Sequence, residues 1–179
     1  LTAWTMIKEA IKFIKSRKFS NEINLHIDTN GTGLTDDIIK FIIKNNILLQ
    51  VSLDGPKQFH DKYRVFPDGR GSFDIIIRSL KKIRKLDAYY YSTKVGFAVT
   101  LAPPYNLLER NDFFKGEMFT EHGILPTFVQ SFDTRFFEKY CQNSNSNLLQ
   151  DMKGLKTHYI KARINNTEPS IFEKGFLER

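Results

Sequence analysis

The feature that most constrains the fold of this chain is a helix pattern and a strand pattern that alternate four times along the sequence. Apolar residues recur every three or four positions, as on one face of a helix, and then every second position or in a short run, as in a strand. The predicted helices cover residues 4–16, 36–43, 73–83 and 107–114, and the predicted strands cover residues 23–27, 47–53, 95–101 and 124–129. Strands separated by helices form right-handed βαβ units, so we expect an α/β fold with a parallel sheet.

The second predicted strand leads into the most distinctive polar segment of the chain. It begins with an almost continuous apolar run, which is typical of a parallel strand covered on both faces. It ends in Val51-Ser52-Leu53-Asp54-Gly55-Pro56, which we interpret as a strand end that opens into a long loop. The next predicted helix follows this loop, with Ser72 as its N-cap residue. Thr35 and Asn106 are the predicted N-caps of two other helices.

Polar residues gather at the predicted carboxyl ends of the strands, which meet at one edge of a parallel sheet. They are Thr29, Asn30, Ser52, Asp54, Thr100 and, less centrally, Gln130. Hydroxyl, amide and carboxylate groups at such an edge suit a sugar or an amino-acid ligand, because each accepts or donates hydrogen bonds at short reach. This set favours binding over acid–base catalysis.

Each of these residues also has an ordinary structural interpretation. Asn30-Gly31 is a common turn pair, residues 52–56 form a strand exit with a turn, and Arg64 has Asp61 nearby in sequence as a surface ion-pair partner. Neither His26 nor His60 has a second histidine at metal-ligand spacing, so no metal site is predicted.

Composition narrows the possible functions. The single Cys141 excludes an intrachain disulfide and any metal or iron–sulfur site built from several cysteines of this chain. The net charge of +7 is compatible with an anionic partner, but no basic segment with interleaved aromatic residues favours nucleic acid. No apolar run reaches the roughly 20 residues that cross a bilayer, and the N-terminus lacks a secretory pattern, so we expect a cytoplasmic protein without membrane contact.

The last part of the chain has a helical pattern. A polar linker at residues 143–147 precedes helical spacing over residues 148–160, and Pro169-Ser170 is a typical start for a last helix. We therefore divide the chain into an α/β core, residues 1–131, and a helical C-terminal extension, residues 132–179.

Several segments, in this order, resemble the middle of radical S-adenosylmethionine enzymes. They are Thr29-Asn30-Gly31-Thr32, Leu34-Thr35-Asp36, Val51 to Pro56, His60-Asp61, Arg64 and Gly69-x-Gly71-Ser72-Phe73-Asp74. The most similar branch modifies peptides and proteins and includes the anaerobic sulfatase maturases and the thioether-forming peptide maturases. The resemblance covers about residues 4–101.

The resemblance implies a partial parallel β/α barrel that holds S-adenosylmethionine across the strand ends. By position, Arg64 matches an arginine suited to the methionine carboxylate, and Ser52 matches the polar residue near the ribose or methionine end. Asn30 and Asp54 match positions along the same edge. In this family a reduced four-iron, four-sulfur cluster (4Fe-4S) cleaves the cofactor to a 5′-deoxyadenosyl radical, which abstracts hydrogen from a peptide or protein substrate.

The departures from the family matter as much as the matches. The family's C-x-x-x-C-x-x-C motif and its Gly-Gly-Glu segment do not occur in these 179 residues, nor does its cysteine-rich C-terminal extension. We therefore expect a central barrel fragment without cluster ligands, inactive alone, which self-associates through an exposed sheet edge. A non-catalytic binding module for a peptide or nucleic acid is the alternative, and a flavodoxin-like nucleotide binder is a more remote one.

Overall fold

The structure is a computed structural model that describes residues 3–103, 105–119, 123–130, 135, 138 and 148–178. Strands and helices alternate as expected over the first part of the chain. In chain order the elements are α1 (Trp4–Lys15), β1 (His26–Thr29), α2 (Asp36–Lys44), β2 (Leu48–Ser52), α3 (Lys57–Tyr63), α4 (Phe73–Leu86), α5 (Ala88–Lys94), β3 (Val95–Leu101), α6 (Leu107–Phe114), β4 (Ile124–Phe128), α7 (Leu148–Ile164) and α8 (Ile171–Leu177).

The four strands form one parallel sheet in the order β1-β2-β3-β4. Consecutive parallel strands connected through helices are the arrangement of a partial β/α barrel, so the predicted fold class is confirmed. The register places Thr29 opposite Val51 and Ser52 opposite Ala98. The carboxyl ends of neighbouring strands therefore lie side by side.

Side chains alternate between a buried face of the sheet and a more exposed one. Val51, Phe97 and Val99 are fully buried against the helices, whereas Ser52 and Thr100 lie on the other face and stay partly exposed. Fully buried helix residues complete the core on the covered face: Ile39, Ile42, Ile76, Leu80, Leu107 and Phe114. The expectation that both faces of β2 are fully covered is therefore wrong, because Leu48, Gln50 and Ser52 on the second face stay partly exposed.

Three other sequence-based expectations need correction. The predicted long loop after β2 contains the short helix α3, which starts directly after Pro56. Between the predicted helix 73–83 and the predicted strand 95–101, where no element was predicted, lies the helix α5, and the Asp87 side chain caps it by accepting a hydrogen bond from the Tyr90 N–H (2.8 Å). β1 begins at His26 instead of residue 23, because His26 lies opposite Leu48, where β2 itself begins.

The predicted helix caps have mixed outcomes. The Thr35 cap is confirmed, since its hydroxyl accepts a hydrogen bond from the Ile38 N–H at 3.4 Å. Ser72 and Asn106 are the N-cap residues of α4 and α6, as predicted, but neither side chain makes a capping hydrogen bond to its helix. Asp151 of α7 instead accepts the hydrogen bond of the Leu107 N–H at 2.7 Å, so a distant residue caps α6.

Of the two C-terminal helices, α8 packs against β4 of the sheet, and α7 packs against α6 and α8. Ser170 and Glu173 form a reciprocal capping box, which confirms the predicted start of α8. α8 lies close to β4: a Cβ built on Gly175 would be 2.5 Å from the Ile124 carbonyl oxygen. Cys141 and the linker at residues 143–147 lie outside the described residues, and the boundary after residue 131 stays a prediction. Among the described helices, none is both long and apolar enough to cross a membrane.

Candidate functional site at the strand ends

The carboxyl ends of β2 and β3 carry an ion pair between Asp54 and Arg64. Arg64 Nε lies 2.6 Å from Asp54 Oδ2, and Arg64 Nη2 lies 3.1 Å from Asp54 Oδ1. Asp54 Oδ1 also accepts a hydrogen bond from the backbone N–H of Thr100 at 2.8 Å. These contacts link β2, β3 and the end of α3. The Asp54 side chain is 6% exposed and that of Arg64 is 28% exposed, so the pair lies at the rim of the site.

Arg64 keeps hydrogen-bonding capacity for a ligand. A guanidinium has five N–H donors. Nε and Nη2 make its contacts with Asp54 and with the Thr100 hydroxyl (3.2 Å), and Nη1 has no partner among the described residues. Arg64 lines a cavity of about 360 Å³, together with Asn30, Thr32, Val65, Phe66, Pro67 and Ser72. It also lines a cavity of about 180 Å³, together with Asp54, Tyr63, Thr100, Ala102 and Val129. A carboxylate or phosphate group suits such a guanidinium.

His60 holds the loop that carries Arg64. Its Nδ1 accepts a hydrogen bond from the Asp54 backbone N–H at 3.2 Å, and its Nε2 lies 2.9 Å from the Ser72 hydroxyl. That hydroxyl donates to the Arg64 carbonyl at 2.8 Å, so we assign the His60 proton to Nε2. Burial lowers the pKa of His60 below its ordinary value, although the nearby Asp54 charge opposes the shift. His60 is therefore a buried, neutral connector.

Asp61 connects the same loop to α4. It accepts a hydrogen bond from the Phe73 N–H at 2.9 Å. The absence of a side chain at Gly71 makes room for it, because a Cβ there would lie 2.0 Å from the Asp61 carboxyl carbon. The alternative in which Arg64 pairs with Asp61 is therefore wrong, because the fold brings Asp54 to the guanidinium while Asp61 faces the start of α4.

The other two predicted cofactor residues lie along the same edge but make fewer contacts. Asn30 Oδ1 accepts hydrogen bonds from the Thr32 N–H (3.2 Å) and from the Thr32 hydroxyl (2.9 Å), so Asn30 shapes the turn after β1 as well as lining the larger Arg64 cavity. Ser52 lies on the more exposed face of β2 and lines neither Arg64 cavity. The structure therefore brings Arg64 together with Asn30 and Asp54, and places Ser52 apart on the sheet face.

Sequence reasoning missed Arg110 of α6. This residue is 1% exposed, and its guanidinium carbon lies 4.7 Å from the centre of the Phe59 ring. A Cβ built on Gly55 would lie 3.3 Å from Arg110 Nη1, so the residue after Asp54 touches this second arginine. The only sequence signal was a basic residue between the apolar ends of a short predicted helix.

No protein-family model matches the chain. Two curated relatives are similar to part of it. A cysteine-type anaerobic sulfatase-maturating enzyme of Clostridium novyi (strain NT) is 38% identical over 84 residues, which are 46% of this chain and 22% of the relative. A serine-type anaerobic sulfatase-maturating enzyme of Bacteroides thetaiotaomicron is 38% identical over 78 residues, which are 44% of this chain and 19% of the relative.

The chain resembles the radical S-adenosylmethionine maturases. Solved structures share its fold. Native anSMEcpe with bound AdoMet and the Cp18Cys peptide superposes with a TM-score of 0.69, at 18% identity, over 93% of this chain and 46% of that chain. Native anSMEcpe with bound AdoMet and the Kp18Cys peptide gives a TM-score of 0.64 at 17% identity, over 93% of this chain and 45% of that chain.

The resemblance predicted from the ordered motifs is thus confirmed, with partial coverage. The chain spans about a fifth of the length of these curated maturases and less than half of the solved chains. Because of this partial coverage, the activity, substrate and cofactor of the maturases are only proposed for this chain.

Proposed function

We propose that this chain forms the S-adenosylmethionine-holding part of a radical enzyme that modifies a peptide or protein. The observation that carries the proposal is the Asp54–Arg64 pair at the strand ends, where Arg64 Nη1 has no partner among the described residues. The pair lies in a fold shared with structures that contain bound AdoMet.

In this proposal Arg64 binds the methionine carboxylate through Nη1. Asp54 holds the guanidinium in place, because it already occupies Nε and one N–H of Nη2. Asn30 and Ser52 contribute polar contacts along the same edge of the sheet. The set supports binding and orientation of the cofactor, and S-adenosylmethionine itself supplies the radical chemistry when a reduced cluster is present.

The four-iron, four-sulfur cluster does not fit the residues of this chain. Its thiolate ligands have to come from several cysteines, and the sequence contains one. No group of three or more His, Cys, Asp or Glu side chains suited to a metal ion occurs among the described residues. We therefore assign cluster binding to residues outside these 179. The role proposed for this chain is to bind and orient the cofactor.

A peptide or protein is the substrate class that the relatives favour. The two curated relatives are named sulfatase-maturating enzymes, and two of the solved structures are named as containing AdoMet with the Kp18Cys peptide or the Cp18Cys peptide. The partly exposed face of the sheet carries Ser52 and Thr100 and adjoins the Arg64 site, since the Thr100 hydroxyl contacts Arg64 Nη2 at 3.2 Å.

The single cysteine also favours a second candidate, a non-catalytic binding module that keeps the scaffold and the strand-end site. Such a module would bind an anionic small molecule or peptide without cleaving S-adenosylmethionine. Binding is common to both candidates, whereas cofactor cleavage belongs to the first alone.

Calorimetric titration with S-adenosylmethionine tests the proposed site. The protein to use is the one encoded by the whole reading frame that contains these residues. We expect saturable binding by the wild type and at least about tenfold weaker binding by Arg64→Ala, because charge-assisted hydrogen bonds to the carboxylate are lost. Arg70→Ala, which removes an exposed arginine paired with Asp68, is the matched control. An unchanged dissociation constant for Arg64→Ala would remove Arg64 from the site.

A further inference from the structure

We propose that Arg110 is a positioning residue that gives the strand-end site a net positive charge and thereby its preference for an anionic ligand. This inference rests on the proposed function, because the carboxylate of S-adenosylmethionine is the anion considered. It concerns a residue outside the motifs that carry the family resemblance.

Arg110 is a buried arginine without a carboxylate partner at ion-pair distance in the part of the chain that the structure describes. Its Nε donates to the Tyr105 carbonyl oxygen at 2.8 Å, and its guanidinium faces the Phe59 ring at 4.7 Å. Its Nη1 is buried and has no hydrogen-bond partner among the described residues. Burying a charge without full pairing is unfavourable, so packing alone would be served better by an apolar side chain of similar length.

The backbone after Asp54 lets this charge come close to the Asp54–Arg64 pair. Gly55, directly after Asp54, has a φ of +120°. A Cβ at Gly55 would lie 3.1 Å from Arg110 Cγ and 3.3 Å from Arg110 Nη1. Glycine therefore serves two purposes here, because it permits the left-handed backbone and it lets Arg110 reach the residue next to Asp54.

Among Asp54, Arg64 and Arg110 the charges sum to +1, and the positive charge that remains is that of Arg110; Glu109 beside it is exposed, so water screens its charge. Arg64 and Asp54 neutralise each other, and the buried His60 between them and α4 is neutral. Burial lowers the pKa of Arg110 to about 10, while the negative charges of Asp54 and Glu109 oppose the shift. Arg110 thus stays protonated at neutral pH.

The expected consequence is selectivity. An arginine already bonded to an aspartate attracts a second carboxylate weakly, since the pair has no net charge. The positive charge of Arg110 near Asp54 offsets the Asp54 carboxylate, so that the charge of Arg64 attracts the ligand carboxylate. Arg110 then acts through Asp54 and Arg64 without touching the ligand.

The test compares two ligands in matched variants of the whole-reading-frame protein. The ligands are S-adenosylmethionine and its decarboxylated analogue, which keeps the sulfonium and adenosine but lacks the anion. The neutral variants are Arg110→Met and Arg110→Gln, the second being a polar alternative if methionine is not tolerated. Arg110→Lys keeps the charge, and Arg78→Met removes an exposed arginine of α4 as a control. The melting temperature of each variant is measured beside its titration, to show that the variant is folded.

We expect the neutral variants to bind S-adenosylmethionine about tenfold more weakly and the analogue as well as the wild type does. Arg110→Lys should retain most of the preference for S-adenosylmethionine. Equal weakening for both ligands, or no weakening for either, would overturn the role of Arg110 while leaving the Arg64 site intact. Failure of the wild type to bind S-adenosylmethionine, or of Arg64→Ala to weaken that binding, would overturn the proposed function and this inference together.

Discussion

At the strand ends, Asp54 depends on Arg64 to neutralise a carboxylate that is almost fully buried. Arg64→Ala would leave that charge unpaired, which costs about 3–5 kcal/mol in fully buried pairs and, with Arg64 partly exposed, about 2 kcal/mol here. Arg70→Ala breaks an exposed pair with Asp68 and should cost less than about 1 kcal/mol. Urea unfolding of the two variants measures the difference, and equal losses would contradict the buried position of the pair.

His60 makes the stability of the protein depend on pH. The pKa of His60 in the folded protein lies below its ordinary value of 6.5, so the unfolded chain takes up the proton first as the pH falls. The stability contributed by neutral His60 is therefore complete above pH 6.5 and is lost as the pH falls from 6.5 through the folded-state pKa.

Free energies of unfolding for the wild type and His60→Gln, measured from pH 7.5 to 5, check this. We expect the advantage of the wild type to shrink as the pH falls below about 6.5. His26→Gln, at a half-exposed histidine of β1, is the matched control. A constant difference between the wild type and His60→Gln across this range would contradict the assignment of His60 as a neutral connector.

Which residues matter at the strand ends could be predicted from the sequence only in part. Asp54 and Arg64 stand in recognisable segments, and parallel strands were expected to bring their ends together. Their mutual pairing was not predicted, because they are ten positions apart with a helix between them and Asp61 is nearer to Arg64 along the chain. Arg110 gave still less signal, since nothing in a short helical pattern distinguishes a buried arginine from a solvated one.

At the scale of elements, the contact between α3 and α4 depends on the missing side chain at Gly71. A Cβ there would lie 2.0 Å from the Asp61 carboxyl carbon, so Gly71→Ala has to displace Asp61 from the Phe73 N–H. We expect a loss of about 1–3 kcal/mol of stability, the usual range for overpacking. Gly123→Ala meets no atom within 4 Å and is the control. Similar melting temperatures for both variants would show that the α3–α4 contact is adaptable.

Element positions were predicted well where apolar periodicity dominates and poorly where capping decides. α2 and α4 have strong helical spacing and were predicted. α3 and α5 are seven-residue helices, which are too short for a clear period. Ser72 is the N-cap residue as predicted, but its hydroxyl contacts His60 and the Arg64 carbonyl instead of the helix, a set of contacts that only the tertiary structure creates.

At the scale of the whole molecule, the two edges of the sheet differ. Leu25 accepts a hydrogen bond from the Leu48 N–H, so residues 26 and 28 of β1 direct their backbone groups away from β2. On β4 the equivalent outward positions include Pro126, which has no N–H, and Gly175 of α8 lies against the Ile124 carbonyl oxygen. The β1 edge is therefore the one suited to pairing with another strand.

We accordingly expect this chain to self-associate through β1. Asp28→Pro removes an outward N–H without breaking the β1–β2 ladder and should shift the chain towards monomer, because edge-to-edge pairing needs that donor. Asp28→Asn, which keeps the backbone N–H, is the matched control. Light scattering across concentrations measures the mass. A monomer at all concentrations in the unmodified chain would contradict the prediction.

In the proposed function, Arg64 and its neighbours hold S-adenosylmethionine for cleavage. The direct measurement is chromatographic detection of 5′-deoxyadenosine after anaerobic reconstitution of the whole-reading-frame protein with iron, sulfide and a reductant. We predict cluster absorbance and 5′-deoxyadenosine formation in the wild type, and slower formation at limiting S-adenosylmethionine in Arg64→Ala. A protein that binds S-adenosylmethionine but shows no cluster and releases no 5′-deoxyadenosine would contradict the enzyme and favour the binding module.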